Sequence, residues 1–131
     1  MKKIVSFLSI SFILFACSGN DGIEVGNKTE MEVEKVVDMG EVMYGENVNA
    51  KFTIKNIGKY PLILADVKGS CSCTVAEWPK DPIAPGVTKE IKATIKTAGS
   101  SAGTLKKDVR ITANTTPSIT SVVIKANVVQ K

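Results

Sequence analysis

From Met31 onward, apolar and polar residues alternate with a period of two. Ala50, Phe52 and Ile54 interleave with Lys51, Thr53 and Lys55. Ile91, Ala93 and Ile95 interleave with Glu90, Lys92, Thr94 and Lys96, and Val109, Ile111 and Ala113 with Asp108, Arg110 and Thr112. Val122, Ile124, Ala126 and Val128 make the last such set. Successive side chains of a strand point to opposite faces, so each set packs one face and wets the other, as antiparallel strands do. No segment after Met31 keeps the three-to-four spacing of an amphipathic helix.

Turn-forming residues punctuate these runs. Asn56-Ile57-Gly58 and Pro61 end one strand, and residues 99–103 and 114–117 separate others. Pro85-Gly86 fits the centre of a type II turn, because Pro fixes φ and Gly accepts a positive φ. The pattern predicts strands at 33–39, 48–56, 62–68, 73–77, 88–96, 105–113 and 119–129. Short strands at this spacing predict an all-β fold, a seven-stranded immunoglobulin-like β-sandwich. The Cys…Trp…Cys spacing of antibody domains is missing, since Trp78 follows both close cysteines, so the lineage is a different one.

The first residues break the pattern. Lys2 and Lys3 precede an apolar run from Ile4 to Phe15, interrupted only by Ser6, Ser9 and Ser11, and Ala16 stands before Cys17. This is a secretion signal over residues 1–16, too short for a membrane-spanning helix, which needs about 20 apolar residues. Leu14-Phe15-Ala16-Cys17 also resembles the bacterial lipobox, with Phe15 standing where a small or hydroxyl residue is commoner. The resemblance implies that Cys17 becomes the first residue and carries a diacylglyceryl group on sulfur and an acyl chain, such as palmitate, on its amine. Each buried CH₂ contributes about 0.8 kcal/mol, so two or three chains anchor a protein stably. Ser18 in place of Asp implies the outer membrane. Residues 17–30 then form the lipidated cysteine and a Gly- and Asn-rich flexible tether, and residues 31–131 the sandwich.

At 131 residues, 44% of them apolar and 23% charged, the chain fits a single folded domain. Removing Lys2 and Lys3 leaves 15 basic against 13 acidic residues, a balance of +2. That excess is small, and the lysines alternate along strands instead of clustering, so no nucleic-acid partner is expected. The chain contains no histidine, the usual general base for a serine or cysteine nucleophile. Asp66, Glu77 and Asp81 are expected as loop and turn carboxylates, and no phosphate-binding glycine loop is present. The expectation is a non-enzyme without a cofactor.

Further along, Phe52-x-Ile54-x-Asn56-x-Gly58-x-x-Pro61-Leu62 is followed by Cys71-Ser72-Cys73-Thr74, Trp78-Pro79, Pro82-Ile83-Ala84-Pro85-Gly86 and Ile91. Over residues 36–129 this order resembles domain-of-unknown-function family 1573, bacterial envelope lipoproteins with a Cys-Gly-Cys-Thr core motif. The resemblance implies an immunoglobulin-like fold, similar in outline to major-sperm-protein and Hydin-like modules, and an envelope location. It implies no activity. Ser72 stands where the motif usually has Gly, which bears on any tight turn that needs a positive φ.

With Cys17 lipidated, Cys71 and Cys73 remain as a pair. The envelope is oxidising and permits a disulfide. Two residues of extended strand separate Cα atoms by about 6.6 Å, near the upper limit of about 6.8 Å for a bridge. Three readings stand side by side. The thiols are small buried hydrophobes at a strand end, reduced or weakly bridged. Alternatively they bind Cu(I), with Met31, Met39 or Met43 adding a thioether if the first strand runs beside them. Or they form a thiol–disulfide redox pair, with Lys68 lowering a thiol pKa, although no C-x-x-C motif supports it.

The function expected from all this is a lipid-anchored envelope module that binds a protein or an envelope polysaccharide through a sheet edge or its loops. The alternative is a Cu(I)-binding or thiol-redox protein using Cys71 and Cys73. Trp78, Pro79, Pro82 and Pro85 are the candidate binding surface. The same residues also suit a purely structural part, Trp78 plugging the end of the sandwich and the prolines guarding an edge.

Overall fold

The computed structural model describes residues 26–131. The expected leader, Cys17 and most of the tether lie outside the described residues. Among the described residues there are eight strands and no helix: β1 (Met31–Val33), β2 (Val36–Met43), β3 (Asn47–Asn56), β4 (Leu64–Gly69), β5 (Thr74–Glu77), β6 (Thr88–Lys96), β7 (Gly103–Ala113) and β8 (Ile119–Val129). They form two four-stranded sheets, ordered β1-β3-β6-β5 and β2-β8-β7-β4. The all-β, immunoglobulin-like sandwich expected from the alternation is the fold of the chain.

One expected strand is two. Residues 33–39 divide into β1, antiparallel to β3, and β2, parallel to β8 in the other sheet. The chain changes sheets at Glu34-Lys35, both exposed, where two consecutive polar residues break the period-two phase. The Lys35 carbonyl accepts from Val123 N at 2.8 Å, starting the new ladder at once.

Burial follows the alternation. β3 alternates exposed and buried residues along its whole length, from Asn47 to Asn56. Phe52, Ile54, Ile91, Ile95, Val109, Ile111, Val122 and Ile124 meet between the sheets, each 2% exposed or less. Burying such side chains contributes about 1.5–3 kcal/mol apiece before entropy is counted. Leu62 is also fully buried but stands outside β4, held by reciprocal backbone bonds with Ile83 of 2.9 and 2.8 Å.

The sandwich also reaches upstream of the boundary expected at Met31. Thr29 is 5% exposed, its N–H donates to Asn114 O at 2.9 Å, and the Asn27 carbonyl accepts from Asn114 Nδ2 at 2.9 Å. The four residues ahead of β1 are therefore part of the packed domain and not of a tether. On the open edge, β2 carries a bulge between Asp38 and Glu41, where Gly40 has φ +67° and its N–H is capped by the Asp38 carboxylate at 2.9 Å. Such bulges twist an edge away from strand addition.

Candidate functional site

β4 and β5 are the edge strands of opposite sheets, and residues 70–73 carry the chain from one to the other. Cys71 and Cys73 sit in this turn and are joined by a disulfide, with Cα atoms 5.2 Å apart. The strand expected from Cys73 starts instead at Thr74, and the turn shortens the separation below the extended-chain value. No non-glycine residue among those described has a positive φ, so Ser72 sits without strain where the family motif usually has Gly.

Both cysteines are half-buried and Ser72 is exposed. The Thr74 hydroxyl lies 3.6 Å from Cys71 Sγ and 3.9 Å from Cys73 Sγ. Gly69 backs directly onto the Thr74 side chain, so a Cβ there would collide with Thr74 Cβ. The crossing is thus as tight as the chain permits, which explains a glycine at the end of β4.

The thioethers imagined for a copper site are elsewhere. Met31 lies on β1, at the far edge of the sheet from β5, and Met39 and Met43 lie on β2, at the far edge from β4. The first strands run along the side of the sandwich opposite Cys71 and Cys73, so the condition for a mixed sulfur site is not met. Lys68, the cation assigned to lower a thiol pKa, directs its Nζ to Asp66 Oδ2 at 3.0 Å. Asp66 lies on β4, Glu77 on β5 and the exposed Asp81 in the loop that follows, so the three carboxylates belong to different elements.

Trp78 follows β5 directly. Its ring is half-buried and packs against the core, its Nε1 is buried without an acceptor among the described residues, and Lys80 Nζ stands 2.9 Å from the ring centroid. Glu77, Trp78, Glu90 and Lys92 line a shallow depression of about 220 Å³ beside it. The prolines divide by role. Pro79 is half-buried, and Pro82 is exposed and precedes the buried Ile83. Pro85 opens the expected type II turn, in which Val87 N bonds Ala84 O at 3.1 Å and Gly86 has φ +78°.

Sequence reasoning missed the residue that organises this end of the molecule. Asn56, expected only as the residue that ends strand 48–56 in a turn, is fully buried, with its amide making four hydrogen bonds. Its backbone also bonds Val87 O at 3.1 Å and Gly86 N at 2.8 Å, welding the end of β3 to the Pro85-Gly86 turn. The signal was available: Asn56 continues the inward parity of Phe52 and Ile54.

A family model described as a protein of unknown function (DUF1573) matches residues 29–128. The chain belongs to this family. The match begins at Thr29, within the packed segment ahead of β1, and it takes in the Asn56 joint and the Cys71–Cys73 turn alike. No curated protein matches the chain. A crystal structure of a protein of unknown function from Porphyromonas gingivalis W83 aligns with a TM-score of 0.69 at 21% identity, over 83% of this chain and 51% of that one. The chain thus spans about half the length of that protein. The ASH/PapD-like domain of human CEP192 aligns at 0.59 with 8% identity, over 96% and 99% of the two chains. The secreted serine protease VesC from Vibrio cholerae aligns at 0.60 with 11% identity, over 76% of this chain and 23% of the protease. At these identities the likeness is one of fold.

Proposed function

We propose that this chain is a lipid-anchored module of the bacterial outer membrane or envelope, which binds a protein or an envelope polysaccharide and catalyses no reaction. The anchor rests on the signal pattern of residues 1–16 and on Cys17. The non-catalytic part rests on a chain without histidine, the usual general base for a serine or cysteine nucleophile.

One observation carries the binding reading. β5 is a four-residue edge strand hydrogen-bonded on one side to β6, with Val75 55% exposed and the Trp78–Lys80 pair beyond its end. An open edge gives a partner main-chain hydrogen bonds, and a half-buried aromatic beside it gives an anchor. Two measurements test the proposal in the full-length protein. Cys17→Ala should move the protein from the membrane to the soluble fraction, and full retention on the membrane would refute the anchor. A photo-crosslinker at Val75 should give a discrete adduct that is absent from the same probe at Asn127 and lost in Trp78→Ala. Identical patterns at both positions would refute the surface.

A further inference from the structure

The corner that holds the two cysteines is fixed without their sulfurs. Ser70 N donates to Asp108 O at 2.8 Å and prolongs the β4–β7 ladder, while Lys96 N donates to Cys73 O at 2.9 Å and prolongs the β5–β6 ladder. Thr74 N donates to Cys71 O at 3.2 Å and closes the turn between them. Gly69, packed against Thr74, locks the approach of the two strands. A bridge between residues two apart adds little to this, because so short a loop removes few conformations from the unfolded chain. Stability is therefore a poor reason for the bond. Reactivity is a better one: both cysteines are half-buried rather than enclosed, and a minimal ring opens more readily than a long one.

We propose that Cys71–Cys73 is a reversible thiol–disulfide exchange site whose substrate class is a dithiol, small or carried by a partner protein, and that the sandwich keeps its fold in both states. This displaces the non-catalytic part of the reading above, which rests on the missing general base that thiol–disulfide exchange does not need, and it stands without the binding part. In the opening step a thiolate of the dithiol attacks Cys73 Sγ, the S–S bond breaks, and Cys71 leaves as a thiolate. The Thr74 hydroxyl, nearer to Cys71 Sγ than to Cys73 Sγ, donates a hydrogen bond to that leaving sulfur. The second thiol of the partner, as its thiolate, then attacks the partner sulfur of the mixed disulfide and releases Cys73. Two electrons pass to the pair, the two protons of the dithiol end on Cys71 and Cys73, and the partner departs as a disulfide. The reverse sequence with an oxidised partner restores the bond. A lower leaving-thiol pKa speeds such exchange, which assigns Thr74 to the rate and not only to packing.

The test uses the full-length protein with dithiothreitol as the dithiol and no denaturant. Mass after maleimide labelling should show two more thiols than in the untreated protein. The far-UV spectrum should be unchanged, the midpoint of thermal unfolding should fall by no more than about 8 °C, and oxidised glutathione should restore the bond. Thr74→Val, which keeps the volume against Gly69, should slow opening at least threefold, and Thr74→Ser should recover it, each variant being checked for an unchanged spectrum. Labelling that appears only in denaturant, loss of the folded spectrum on reduction, or a Thr74→Val rate equal to that of the parent would each overturn the proposal.

Discussion

The hydroxyl of Thr29 donates a hydrogen bond of 3.0 Å to Oδ1 of Asn56, tying the segment ahead of β1 to the end of β3. The same oxygen accepts from Gly58 N at 3.1 Å, and Nδ2 donates to Tyr60 O at 2.7 Å and Ile83 O at 2.9 Å. One buried side chain thereby joins three stretches of the chain, the segment ahead of β1, the loop after β3 and the strand-like residue Ile83. Asn56→Asp would keep the shape but remove both donors, leaving two buried carbonyls facing a carboxylate. Loss of a partner to a buried polar group costs about 1–3 kcal/mol, so the variant should lose about 3 kcal/mol or more in urea denaturation at neutral pH. A loss under 1 kcal/mol would show that water reaches the joint.

Gly58 belongs to the same joint for a different reason. A Cβ on it would meet Thr29 Oγ1 and lie 2.5 Å from the Glu30 backbone nitrogen, although its φ is not in the left-handed region. Gly86 is the converse, with φ +78° and open space around it. Gly58→Ala should therefore destabilise by about 1–3 kcal/mol through overpacking, and Gly86→Ala by about 1–2 kcal/mol through backbone strain. Removing residues 1–29 should relieve part of the Gly58→Ala penalty and none of the Gly86→Ala penalty. Thermal unfolding of six proteins, the parent and both variants with and without residues 1–29, distinguishes steric from conformational cost, and an equal Gly58→Ala penalty before and after truncation would defeat the assignment.

How much of this was legible in the sequence follows from the physics of strands. Alternation decides which side of a strand is buried, so Phe52, Ile54, Ile91 and Ile95 were readable as core before any coordinates. Alternation says nothing about which sheet a strand joins. The exchange at Glu34-Lys35 depends on long-range pairing with β3 and β8, and so residues 33–39 read as one strand. The Pro85-Gly86 turn was readable because φ is a local property. The Cys71–Cys73 bridge is not legible in the sequence because its geometry depends on a turn, while the neighbouring alternation suggests extended chain. Thr29 is buried by its contacts with Asn56 and Asn114, far along the chain, which no local composition reveals.

The surface ion pairs should matter little. Lys51 Nζ lies 3.8 Å from Glu90 Oε1, with the two side chains 61% and 45% exposed, and Lys51 also stands directly across from Lys92 in the β3–β6 register. Exposed pairs contribute about 0.2–1 kcal/mol at most, and like charges directly opposite on a sheet offset that gain. Lys51→Ala should change stability by no more than about 0.5 kcal/mol in urea denaturation. A loss above 1 kcal/mol would mean that the pair is more rigid than its exposure implies.

The orphaned indole nitrogen of Trp78 makes the sharpest statement about the candidate surface. The ring is packed against the core, but Nε1 is buried with no acceptor among the described residues, where the indole carries the cost of an unmet donor. Trp78→Phe removes that donor and keeps most of the apolar contact, and should leave stability within about 1 kcal/mol of the parent. Trp78→Ala removes the contact too and should cost about 3 kcal/mol. Lys80→Ala strips the cation from a ring whose centroid is 2.9 Å away; at a partly exposed site this should cost about 0.5–1 kcal/mol. Trp78 is the only tryptophan of the chain, so its fluorescence reports on this place alone, and Lys80→Ala should increase its quenching by acrylamide. If Trp78→Phe proved as damaging as Trp78→Ala, the indole N–H would have a partner that matters, and an acceptor supplied from outside the domain would be the place to look.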